Sequence, residues 1–85
     1  MYFPAMAKSI HSAEQKKLQA LLRQLRISSG LRQVDLAQRL GVQQSFVSKY
    51  ESGERRLDWL EVRGVCRVLG VSLQDFVKRL EDALS

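Results

Sequence analysis

The stretch at residues 33–51 constrains the fold most, because its pattern fits two short helices joined by a tight turn. Apolar residues recur at helical spacing in its first half: Val34, Leu36, Ala37 and Leu40. Gly41 follows directly, at the place where a left-handed residue ending a helix favours glycine. A second helix then buries Val47 and Tyr50, which lie three residues apart on one face.

The opposite face of this second helix is polar: Ser45, Ser48, Lys49 and Ser52, with Gln44 at its exposed start. Serine is a mediocre helix former, so helix stability alone does not explain three of them. Small hydroxyls let a helix approach another surface closely, and glutamine amides can hydrogen-bond adenine edges in a DNA major groove. The sequence therefore predicts a surface that meets nucleic acid; a merely solvated polar face is the alternative.

The remaining chain predicts short helices packed at angles, in an all-α fold. A glycine followed by an apolar residue recurs at Gly30-Leu31 and Gly70-Val71, and no period-two alternation calls for a sheet. Residues 1–11 are expected to form an N-terminal arm, and residues 12–85 a compact domain of five helices. Helix caps are predicted at Ser12 (in a capping box with Gln15), Asp58 and Ser72. Gly64 falls inside the fourth helix, where close packing against another backbone would explain it.

The charge is uneven along the chain. The whole chain carries 14 Lys and Arg against 9 Asp and Glu, a formal net charge of +5. Residues 1–56 hold 10 basic and 4 acidic side chains, net +6, whereas residues 57–85 hold 4 and 5, net −1. The basic half thus coincides with the polar helix, as phosphate binding requires, although charge of this size also serves solubility.

Several other functions have little support in the sequence. Cys66, the only cysteine, lies in an apolar run and is expected to be a buried hydrophobe rather than a redox sensor. His11 is expected at the surface, with no metal or cofactor site nearby. We find no membrane-spanning run and no convincing secretory signal. There is also no catalytic constellation and no phosphate-binding glycine loop, so an enzyme is not expected.

Residues 18–80 resemble the phage-repressor and Cro (Xre-type) DNA-binding domain, a lambda-repressor-like helix-turn-helix fold. The resemblance is carried by the Leu25-Arg26 and Gly30-Leu31 pairs, then by QVDLAQRLGV, QQSFVSKYESGERR and LGVSLQDF, in order and at family spacing. It implies a five-helix domain that binds double-stranded operator DNA as a two-fold homodimer. It also implies a bacterial or phage-encoded protein of the cytoplasm, associated with the nucleoid.

The resemblance also implies roles for particular residues. The positions that reach base edges from the recognition helix are Gln43, Gln44, Ser45 and Lys49. The positions placed for phosphates are Arg32, Gln33, Ser48, Arg55 and Arg56, with Gln33 at the N-terminus of the preceding helix. Arg26 and Glu51 match a structural salt bridge that joins the first helix to the end of the recognition helix.

Some assignments stay open. The family's proline after the recognition helix is replaced by Leu57-Asp58, which leaves the path of the arginine loop undetermined. Phe46 is expected to pack rather than to touch a thymine methyl or sugar, and Trp59 could lie at the core edge or at an interface. Leu80 and Leu84 are candidate dimer contacts, with packing under the first helix or the arm as the alternative.

The function that follows is a sequence-specific transcriptional regulator, with repression by occupancy as the default mechanism. A phage-type repressor, a restriction–modification controller and an antitoxin-like autoregulator all fit. The rival is a protein-interaction module that keeps the fold without reading DNA.

Overall fold

The computed structural model describes residues 13–85, and within that range the chain forms five α-helices and no strand. They are α1 (Ala13–Ser28), α2 (Gln33–Leu40), α3 (Gln44–Ser52), α4 (Trp59–Val68) and α5 (Leu73–Leu84). The predicted all-α fold is therefore confirmed. The arm, His11 and the cap at Ser12 lie outside the described residues. Among residues 13–85, no helix has both the length and the apolar character needed to cross a bilayer.

Three helices end in the same way, at the glycine–apolar pairs that the sequence shows. At the end of α2, Gly41 adopts φ 72°, and the N–H groups of Gly41 and Val42 donate to Gln38 and Ala37 carbonyls at 3.2 and 3.0 Å. This is the Schellman pattern, in which a left-handed residue lets the chain close the last turn. The ends of α1 and α4 carry the same pair of hydrogen bonds. These stops limit α2 to 8 residues and α4 to 10 residues.

The predicted caps of α4 and α5 are confirmed. The Asp58 carboxylate accepts from the Glu61 N–H at 2.8 Å, and Glu61 accepts from the Asp58 N–H at 2.9 Å, forming a capping box. The Ser72 hydroxyl oxygen accepts from the Asp75 N–H at 3.0 Å. The sequence pattern places Leu57 in the fourth helix, but α4 begins at Trp59. Leu57 lies in the preceding loop and packs against the core from there.

The core takes side chains from all five helices. Its buried members are Leu22, Leu25, Leu36, Ala37, Val47, Tyr50, Val62, Val65, Cys66, Leu69 and Phe76. Cys66 is wholly buried, and that burial raises the pKa of its thiol to about 11. The burial of Cys66 predicted from the sequence is thus confirmed.

The explanation offered for Gly64 is wrong. Apart from its chain neighbours and the backbone of its own helix, a β-carbon built at this position would meet no atom of the described residues within 4 Å, and its φ is not positive. Neither close backbone packing nor a left-handed conformation requires glycine here.

Candidate nucleic-acid interface

The two faces of α3 differ sharply in burial. Val47 and Tyr50 point into the core, while the predicted base-contact residues are all exposed: Gln43, Gln44, Ser45 and Lys49. Gln43 occupies the N-cap position of α3 without a side-chain capping bond, and its carbonyl accepts from the Phe46 N–H at 3.0 Å. Ser45 and Lys49 are four residues apart, so they lie one above the other on the same side. Gln43 and Gln44 lie at the N-terminal end of α3, Lys49 follows Ser45 by one turn, and all four are exposed.

The predicted phosphate contacts at the start of α2 hold partners within the chain. Arg32 binds the Asp35 carboxylate through two nitrogens at 3.0 and 2.9 Å, and the Arg32 N–H donates to the same carboxylate at 2.9 Å. The guanidinium of Arg32 holds the pKa of Asp35 down at about 2. The Gln33 amide donates to Glu51 at 2.9 Å. Ser48, which was also predicted to contact phosphate, lies on α3. It is half-buried, and its hydroxyl donates to the Ser45 carbonyl at 3.2 Å.

Arg26 and Glu51 form a bidentate ion pair, with nitrogen–oxygen distances of 2.7 and 3.0 Å. Their side chains are only 10% and 4% exposed. Arg26 also donates to the Leu31 carbonyl at 2.9 Å. Together with the bond from Gln33, this cluster joins α1, α2 and the end of α3. It fixes the outer helix relative to the two helices behind it.

The loop after α3 is tied down through Arg55. Its guanidinium lies 4.5 Å from the Phe46 ring centroid and donates to both Glu61 oxygens, at 3.2 and 2.8 Å. The pKa of Glu61 is lowered, first by this bond and then by the Asp58 N–H. Phe46 in turn meets the Tyr50 ring edge-on, with centroids 5.8 Å apart. Phe46 therefore packs against the core, as expected.

Arg56, the remaining predicted phosphate contact, is exposed at the next position of the loop. Its carbonyl accepts from the Arg55 guanidinium at 3.2 Å. Sequence reasoning missed the contact of Arg55 with both Phe46 and Glu61. The sequence did carry a signal for this contact. An aromatic residue beside the polar face is followed by an arginine-rich loop and then by an acidic capping residue.

Comparison with known proteins places this geometry in a family. A helix-turn-helix domain model matches residues 18–80. The solved XRE-family like protein from Pseudomonas syringae pv. tomato is 43% identical to this chain, with a TM-score of 0.81. The match covers 91% of this chain and 94% of that protein's chain. No curated protein sequence matches this chain.

Two further solved structures share the fold at lower identity. The wild-type restriction-modification controller protein C.Esp1396I is 23% identical (TM-score 0.79), and the match covers 87% of this chain and 97% of that one. The clp gene regulator ClgR from Corynebacterium glutamicum is 25% identical (TM-score 0.74), covering 85% and 77%. With its family match and its 43% identical XRE relative, the chain belongs to the XRE-type helix-turn-helix family and is a DNA-binding transcriptional regulator.

Proposed function

We propose that the chain is a dimeric repressor or autoregulator that reads a palindromic operator by laying α3 in the major groove. The observation that carries this proposal is the exposed edge formed by Gln43, Gln44, Ser45 and Lys49 on a helix whose other face is buried. Lysine suits the O6 and N7 acceptors of guanine, and glutamine pairs with adenine. The small serine hydroxyl lets the helix backbone approach the bases.

Phosphate contacts near the C-terminal end of α3 would fix the register of the protein on DNA. Arg32 and Gln33 lie at the N-terminus of α2, which the bond from Gln33 to Glu51 holds beside that end of α3, and the helix dipole there favours an anion. The ion pair between Arg32 and Asp35 is exposed and therefore weak, so a phosphate can replace the carboxylate. Arg56 lies in the loop that follows the same end of α3, and Ser48 lies about one turn before that end. These contacts position the protein without carrying sequence information.

A dimer is supported by apolar surface at the side formed by α1, α4 and α5. A groove of about 300 Å³ opens there, lined by Leu18, Leu57, Val62, Phe76, Val77 and Leu80. Trp59 lies at the same groove and is 67% exposed, and the neighbouring Leu60 is 78% exposed. Leu80 and Leu84 are half-buried, so both retain surface that a second copy could cover. A dimer bound to its operator would repress transcription by blocking polymerase, which requires only DNA binding.

The test is selection of bound duplexes from a random DNA pool at near-physiological salt. We expect a palindrome whose half-sites lie about one helical turn apart, since two-fold protein symmetry imposes that spacing. A Gln44→Ala, Lys49→Ala double variant is the control and should not enrich the same sequence. Binding without enrichment would contradict specific reading. No binding by folded protein would favour the interaction module.

A further inference from the structure

We propose that Arg55 is a positioning residue of the DNA interface, which locks α3 to the start of α4, and is not itself a phosphate contact. This inference rests on the proposed reading of DNA by α3. Three side chains, those of Phe46, Arg55 and Glu61, form this lock, which we call the Arg55 clamp.

The donors of the Arg55 side chain are directed at its own chain. One terminal nitrogen donates to Glu61 and to the Arg56 carbonyl, both at 3.2 Å, and the other donates to Glu61 at 2.8 Å. The face of the guanidinium covers Phe46 at 4.5 Å, a cation–π geometry. The backbone N–H of Arg55 donates to the Lys49 carbonyl at 3.2 Å. The residue is thus held by its main chain and its side chain together.

Glu61 is an anchored partner for Arg55. Its carboxylate also accepts from the Asp58 N–H at 2.9 Å in the capping box of α4, so its direction is set by the helix start. The Arg55 and Glu61 side chains are 40% and 29% exposed, against 78% for Arg32 in its exposed pair. Moving Arg55 to a phosphate would uncover Phe46 and leave the Glu61 carboxylate without its cation.

The clamp complements the buried cluster around Glu51. That cluster holds the C-terminal end of α3 to α1 and α2, whereas the clamp holds Phe46, near the N-terminal end, to α4. Phe46 is adjacent in sequence to Ser45, one of the proposed base contacts. Base reading requires side chains held to within about 0.5 Å by supporting contacts, which is what two attachments on opposite sides supply. The clamp also fixes the carbonyl of Arg56, the proposed phosphate contact.

Substitutions that preserve charge separate the two roles of Arg55. Binding is measured to the duplex enriched by the selection and to a scrambled duplex of equal length, over a range of salt concentrations. Arg55→Lys keeps the charge but loses the planar, bidentate contact and the stacking. We expect it to weaken operator binding roughly three- to tenfold, because the loop must then be ordered on binding. Its preference for the operator over the scrambled duplex should also fall.

Glu61→Gln gives a prediction of opposite sign for the two roles. If Arg55 positions α3, this variant weakens operator binding, even though it removes a negative charge. If Arg55 binds a phosphate in competition with Glu61, the variant tightens binding. Arg56→Gln is the phosphate reference. Because a dimer loses one contact in each half-site, it should lower the slope of log affinity against log salt by about 1.8 while leaving the operator preference unchanged. Asp75→Asn, which breaks the exposed pair with Arg79 on α5, is the control for an unrelated lost charge.

Thermal unfolding without DNA tests the clamp separately from DNA reading. The Arg55→Gln, Glu61→Gln double variant should melt no lower than the less stable single variant, because either change alone breaks the contact. Additive losses would overturn the clamp. Wild-type affinity in Arg55→Lys, or tighter binding by Glu61→Gln, would overturn the positioning role. Failure to enrich any duplex with the wild-type protein would refute the proposed function, while the melting comparison would still decide whether the clamp exists.

Discussion

At the scale of single residues, the Glu51 carboxylate accepts hydrogen bonds from Arg26 and Gln33, which lie on two other helices. Its side chain is almost wholly buried, and its bond raises the pKa of Arg26. A buried pair of this kind adds little net stability over an apolar replacement. Removing one partner is different, because it leaves the other charge buried and unpaired.

We therefore expect Glu51→Ala to lower the free energy of unfolding by about 3–5 kcal/mol. The measurement is urea denaturation followed by circular dichroism. Asp75→Ala is the matched control, since it breaks an ion pair with Arg79 that is about half exposed; it should change stability by less than about 1 kcal/mol. Equal losses in the two variants would contradict the structural role of Glu51.

Lys49 tests base reading at the same scale. Its side chain is exposed on the outer edge of α3, in line with Ser45. Lys49→Ala should relax preference at one base position per half-site and cost about 1–3 kcal/mol in operator affinity. Competition binding with duplexes varied at each position measures this. Unchanged preference at every position would show that α3 does not read the DNA as proposed.

The sequence revealed these residues unevenly. The pairing partners Arg26 and Glu51 were identified through the family resemblance, because 25 positions separate them and no local rule joins them. The bond from Gln33 and the partners of Arg55 were not foreseen. The latter depend on the path of the loop at residues 53–58, where Leu57-Asp58 replaces the family's proline. That path is set by tertiary contact between Arg55, Phe46 and Glu61, which local sequence patterns do not encode.

At the scale of helices, the ends were more predictable than the packing. The stop at Gly41 and the caps at Asp58 and Ser72 involve hydrogen bonds between residues no more than five positions apart, so local sequence determines them. Gly64 shows the limit of such reasoning. Its surroundings depend on which helix face meets a neighbour, and the structure leaves open space there.

Gly64→Ala should raise the free energy of unfolding by about 0.5–1 kcal/mol. Alanine is the better helix former, and beyond its chain neighbours and the backbone of its own helix the added methyl meets no described atom within 4 Å. Thermal or urea unfolding measures the change. Gly41→Ala is the matched control, because the left-handed φ of 72° makes the same substitution destabilising. A loss of stability in Gly64→Ala would mean that α4 packs more closely than the structure shows.

The start of α2 predicts a pH dependence. The folded-state pKa of Asp35 is about 2, below its usual 3.8, chiefly because of the Arg32 side-chain bond. Folding therefore favours the carboxylate, so its contribution to stability is fully present above about pH 4 and is lost as the pH falls towards 2. Between pH 5 and pH 2.5, Asp35→Asn should lose less unfolding free energy than the wild type. Urea titrations at both values measure this, and identical losses would contradict the pairing.

At the scale of the whole molecule, five short helices follow from apolar stripes of helical period interrupted by glycine stops, and that architecture is confirmed. The assembly does not follow in the same way. The stripe on α5 buries Phe76 completely but Leu80 and Leu84 only in part. A sequence pattern shows that a face is apolar without showing whether its own chain or a second copy covers it.

Leu80 tests the dimer directly. Because Leu80 lines the apolar groove, a charge placed there would have to be desolvated against a second copy, so Leu80→Glu should shift the sedimenting mass towards the monomer. Circular dichroism must show that the variant is folded, since Leu80 also packs on the core. Ile27→Glu, at another exposed apolar position, is the control and should leave the mass unchanged. Trp59, the only tryptophan, gives a second measurement: its emission should shift to the red on dilution of the wild type, as the groove becomes exposed. An unchanged mass in folded Leu80→Glu would place the dimer contact elsewhere on the molecule.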